Sequence, residues 1–142
     1  MIVQTQTTTF KVNLLLGAEN FSATSPYVYK IALYTALANL NNTTTAYTSV
    51  NEVVGTGYTA GGTVLTPITP AGDTVANTAY LSFNNAVWTG TSFTTRGALI
   101  YNATTGASIA VLNFGLDQTM LSQQFQIQLP ANNADNAIIR VT

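Results

Sequence analysis

The sequence predicts a mainly β domain: an antiparallel β-sandwich or jelly roll with a short N-terminal helix and an extended N-terminal arm. Short runs rich in β-branched and aromatic residues recur between Gly, Asn and Thr turns. No helical periodicity follows residue 40. Strands without intervening helices favour an antiparallel arrangement over a parallel α/β sheet. At 142 residues the chain can bury one core but not two, so residues 9 to 142 are expected to form a single domain. With 46% hydrophobic residues and a net charge of -1, it has the composition of a folding chain.

Residues 1 to 8, MIVQTQTT, read as an extended arm of the kind that clasps a neighbour. The string TFKVNLLLG at 9 to 17 reads as a short helix. Thr9 is its N-cap, Phe10, Leu14 and Leu16 share one face, and Gly17 is its stop. The same residues also alternate at period two through Phe10, Val12, Leu14 and Leu16, which fits a strand.

Residues 27 to 36, YVYKIALYTA, follow Pro26 and read as the first strand. The polar linker NLNNTTTAYTSVNE is long and lacks strong periodicity, so it is either a contact loop, with residues 43 to 54 the candidate, or carries short strands of its own. Glycines punctuate GTGYTAGG, and Pro67 and Pro70 confine TVLTPITP to an edge strand or loop boundary. Residues 75 to 88, 92 to 101, 107 to 114, 122 to 129 and 137 to 141 read as further strands. In SQQFQIQL the alternation is clean. Phe125, Ile127 and Leu129 point one way, and Gln124, Gln126 and Gln128 the other.

Only 6% of the residues are charged, against about 25% in an ordinary soluble domain. Thr, Asn, Ser and Gln replace them with short-range hydrogen bonds that salt screens little. Lys11 and Lys30 are the only lysines, so little flexible side chain is immobilised when a subunit covers the surface. Four cationic residues against five acidic ones make no patch for phosphates or anionic lipids. Neither direct nucleic-acid binding nor membrane binding is expected. MIVQTQTTTF lacks the pattern of a signal peptide, and no apolar run reaches spanning length.

The chain has no Cys and no His, which excludes disulfides, thiol chemistry, imidazole-based triads and His-ligated zinc. Five carboxylates, Glu19, Glu52, Asp73, Asp117 and Asp135, are the only material for a glycosidase pair. Asp73 in PAGDT, Asp117 in GLDQT and Asp135 in NNADN read instead as turn residues bonding local backbone. ANNADN lacks the acidic spacing of a calcium loop, and GTGYTAGG lacks the Lys-Ser/Thr ending of a phosphate loop. No enzyme activity, cofactor or metal is therefore expected.

Trp88 with Tyr58, Tyr80 and Tyr101 could make a sugar-binding platform, but the setting of Trp88 favours a core or interface anchor. Arg96, between apolar runs, pairs with a carboxylate or reaches across an interface. The candidate interface residues are Arg96, Trp88, Tyr47 and Tyr58.

Segments 30 to 36 KIALYTA, 43 to 47 TTTAY, 52 to 62 EVVGTGYTAGG, 79 to 88 AYLSFNNAVW and 93 to 101 FTTRGALIY follow one another in a specific order. With 102 to 106 NATTG and 109 to 114 IAVLNF, they resemble a family of small virion structural proteins of tailed bacteriophages. The likeness covers most of residues 10 to 130. It implies a capsid decoration or cement protein, with a tail or fibre component as the alternative. The implied partners are the major capsid protein, or tail proteins, and further copies of the chain in a small homo-oligomer. The implied location is the virion, and the host cytoplasm during assembly.

Overall fold

The computed structural model describes all 142 residues. In chain order the elements are β1 (Thr5–Gln6), α1 (Thr8–Leu15), β2 (Tyr29–Tyr34), β3 (Thr63–Val64), β4 (Ala71–Asp73), β5 (Thr78–Leu81), β6 (Ala86–Asn102), β7 (Ser108–Ile127) and β8 (Ile139–Val141). They form two antiparallel sheets, ordered β1-β7-β6-β2-β3 and β4-β5-β8. The mainly β, antiparallel class with one short N-terminal helix is thus the class observed. That helix is not long and apolar enough to cross a membrane.

The helix starts earlier than its sequence suggests. Thr7, not Thr9, is the N-cap: its hydroxyl accepts the Phe10 amide at 3.1 Å. Thr7 is fully buried, 3.0 Å from Ser108 Oγ, so β7 selects it from the run of threonines. At the other end Gly17 takes φ +68°, and its amide bonds Leu14 O while that of Ala18 bonds Asn13 O. This pair closes a helix through a left-handed residue, a position that suits glycine. The expected apolar face is only partly used. Phe10 is buried, but Leu14 lies at the margin and Leu15 and Leu16 are 89% and 75% exposed.

The N-terminal segment is extended, as expected, but it packs on its own chain. Thr5 and Gln6 pair with Val111 and Ala110, and Ile2 is buried beside Leu40. Its side chain joins Ala32, Tyr34, Leu99 and Val111 in a cluster on one face of the large sheet. The opposite face carries Ile31, Leu33, Ala98 and Ile100, which meet Leu81 and Ile139 of the small sheet in the main core. Strand β2 is therefore buried on both faces, which explains why KIALY shows no polar alternation.

Between β2 and β3 the linker crosses back over the sheet. Gly62 has φ +77°, and a Cβ there would stand 1.8 Å from Ile31 O, so only glycine permits this approach. The expected strand over residues 75 to 88 is two strands. The Ser82 amide donates to Asn132 Oδ1 and the Asn84 amide to Thr66 O, which takes the chain out of the ladder between β5 and β6.

Strands β6 and β7 form one long hairpin, so the separate runs expected at 107 to 114 and 122 to 129 belong to a single strand. The hairpin is bent. From Asn113 to Gln118, β7 advances five residues while β6 moves from Gly97 to Thr95. Further register shifts occur between Phe93 and Thr91 and between Thr91 and Trp88. Bulges of this kind fold a strand over its own sheet.

Candidate functional site

The most concentrated polar arrangement surrounds Glu52, which is 7% exposed. Tyr47 and Tyr58 donate their hydroxyls to its Oε2 and Oε1, each at 2.6 Å, and the Gly61 amide donates to Oε1 at 2.6 Å. Tyr58 in turn accepts the Leu33 amide at 2.9 Å, and Tyr101 donates to Gly61 O at 2.8 Å. Short bonds to a charged acceptor are the strong kind, and here they offset the cost of burying a carboxylate.

Burial raises the Tyr47 and Tyr58 phenols above their ordinary value, and the adjoining Glu52 raises them further. The same two causes raise Tyr34 and Tyr101. With both oxygens of Glu52 engaged by the protein, the arrangement is a clasp that holds the 47-to-61 segment on β2. Tyr47 also stacks on Tyr101 with ring centroids 4.8 Å apart.

Tyr47 and Tyr58, two of the four expected interface residues, thus meet at Glu52 and serve the chain internally. Glu52 itself was legible only as one of five carboxylates. Trp88 is 6% exposed, stacks on Phe125 at 5.7 Å and lies 6.4 Å from Tyr58. Of the two roles its setting allowed, the structure gives it the core. The suggested aromatic platform is not formed, because Trp88 and Tyr101 are both buried.

Arg96 stands apart from this group. Its Nε donates to Asp117 Oδ1 at 2.7 Å, with side chains 33% and 49% exposed. Asp117, expected in a turn, lies within β7 on the five-residue advance, where the bulge swings it opposite Arg96. A pair this exposed contributes under about 1 kcal/mol.

The other carboxylates are dispersed. Asp73 accepts the Val75 and Ala76 amides, as expected of a turn residue. In NNADN the turn is made by Asn133, which accepts the Asp135 and Asn136 amides. Glu19 Oε2 accepts from the Tyr29 hydroxyl at 3.0 Å and from Asn102 Nδ2 at 3.1 Å. Burial and then Glu19 raise the Tyr29 phenol. Asn102 is fully buried and caps the β6–β7 turn by accepting the Thr104 and Thr105 amides. No three acidic side chains converge on a point that could hold a metal ion.

Beyond these charges the surface is mostly apolar and neutral polar. The expected contact loop is anchored by Tyr47 N to Gly106 O and by the Tyr34 hydroxyl to Thr48 O, yet it presents Val50 and Val54 at 67% and 94% exposure. A shallow apolar cleft of about 140 Å³ lies between Leu14, Phe21, Tyr80, Leu81, Ile139 and Val141. Leu15 and Leu16 follow its Leu14 wall along the chain. Comparisons of the chain with models of known protein families, with curated proteins and with solved structures give no match.

Proposed function

We propose that the chain is a non-enzymatic structural protein of a tailed-bacteriophage particle, a capsid decoration or cement protein that bridges neighbouring shell subunits. The observation that carries this reading is a surface nearly free of charge and studded with large apolar side chains. Of the nine charged residues, Glu52 is buried and Arg96 and Asp117 neutralise each other. Leu15, Leu16, Val50, Val54 and Leu37 meanwhile stand exposed. The resemblance of residues 30 to 114 to small virion proteins supports the same role.

The mechanism is additive. Each copy buries area on two or more subunits of the assembled shell and stabilises that state by mass action, about 2.7 kcal/mol at a hundredfold excess over Kd. A repeating lattice offers the same patch many times, so a small oligomer gains avidity from modest contacts. Low charge lets copies lie close without self-repulsion.

Mass spectrometry of virions made from the genome that encodes the chain tests the reading. Many copies per particle are expected, together with earlier heat release of DNA from particles lacking the protein. Absence of the chain from purified virions overturns it.

A further inference from the structure

Strand β7 has the longest unpaired backbone edge in the molecule. On one side it bonds β6 along its length, but on the other β1 covers only Ala110 and Val111. Residues 114 to 127 have no ladder partner there. The remaining outer strands are short, with β3 two residues long and β4 and β8 three each, and the last two carry Asp73 and Arg140. Short length and charge are how proteins keep sheet edges from pairing. The end of β7 has neither, since residues 118 to 128 contain no charged residue and no proline.

The register of this end is regular from Trp88↔Phe125 to Ala86↔Ile127, so it is a competent template for another strand. An open groove of about 340 Å³ runs beside it, lined by Phe114, Gln118, Phe125, Gln126, Ile127 and Gln128. The occupant is indicated by the sequence of the edge. Residues 124 to 128 read Gln-Phe-Gln-Ile-Gln, whose polarity is the same in both directions about Gln126. Gln124, Gln126 and Gln128 are exposed, while Phe125 and Ile127 face inward.

We propose that the edge pairs with the same edge of a second copy, antiparallel, about a two-fold axis at Gln126. That register sets Gln126 opposite the second copy's Gln126 and Gln124 opposite its Gln128, amide against amide. Phe125 falls opposite its Ile127 on the apolar face. The contact is isologous and closes at two copies. Backbone bonds supply the attraction, cross-strand pairs fix the register, and the neutral edges meet without repulsion. The inference stands apart from the virion reading, because it concerns the purified chain alone.

Sedimentation of the purified protein tests it, with near-UV dichroism reporting that each variant is folded. The wild type is expected at twice the 15.0 kDa chain mass. Gln126→Lys sets lysine against lysine on the axis and should weaken the dimer about tenfold or more. Gln124→Lys combined with Gln128→Lys should do the same, whereas Gln124→Lys with Gln128→Glu places opposite charges across the interface and should keep the dimer. The chain has no cysteine, so Gln126→Cys gives a single thiol, expected to form a covalent dimer on mild oxidation. A folded wild type that is monomeric at millimolar concentration overturns the proposal. So does a dimer whose dissociation constant Gln126→Lys leaves unchanged, or one that Gln126→Cys does not cross-link.

Discussion

Phe114 and Phe125 belong to the same strand, yet their ring centroids are 6.1 Å apart. Eleven positions along a straight strand would separate them by about 36 Å. The bulges that fold β7 therefore bring its two halves together, and Phe125 serves both as it stacks on Trp88 and meets Phe93 edge-on at 5.8 Å. Phe125→Ala is expected to cost about 2–4 kcal/mol in urea unfolding and to collapse the Trp88 near-UV signal. A variant of wild-type stability would mean that the fold-back does not depend on this ring.

Replacing Glu52 strands its donors. Glu52→Ala leaves the Tyr47 and Tyr58 hydroxyls and the Gly61 amide without their acceptor, at an expected cost of about 3 kcal/mol. Glu52→Gln keeps the shape but offers one acceptor oxygen instead of two, so an intermediate loss is expected. Equal midpoints for Gln and wild type in denaturant titrations would contradict the clasp.

The buried phenols give stability a pH dependence of known sign. Tyr29, Tyr34, Tyr47, Tyr58 and Tyr101 lie above the ordinary 10.0 in the fold, chiefly through burial and secondly through Glu19 or Glu52. The fold thus prefers the neutral phenol, while the unfolded chain releases its proton near pH 10. Their contribution is complete below about pH 10 and is lost as pH rises above it. Urea midpoints should fall above that pH, with tyrosinate absorbance appearing together with unfolding. Early ionisation of these five in the intact fold would refute their burial.

The N-cap assignment is testable within a run of threonines. Thr7→Ala should lower stability by about 1 kcal/mol or more, since a buried hydroxyl is lost with the cap. Thr9→Ala, on the helix itself, should change thermal unfolding little. The reverse ranking would restore the cap to Thr9.

Much of the strand content was legible because one-sided burial writes alternation into residues such as Phe125, Ile127 and Leu129. The continuity of β7 was not. Gly115 and Asp117 are locally turn residues, and only pairing with β6 makes them a bulge inside a strand. The cap was ambiguous for a related reason, because Ser108, 101 positions away, decides which threonine is buried. The Glu52 clasp has no periodic signature. Its tyrosines lie five and six positions to either side, on a linker whose path is set by the close passage of Gly62 over Ile31.

The pinned N-terminus also orders events in time. Ile2 O accepts from Asn113 Nδ2, 111 positions away, so the segment around Ile2 is made well before the strand that holds it. At about 5–20 residues per second, that delay is roughly 5–20 s per chain. During it Leu40 and Tyr34 lack the side chain that will cover them, and this face of the sheet stays uncovered until β7 is in place.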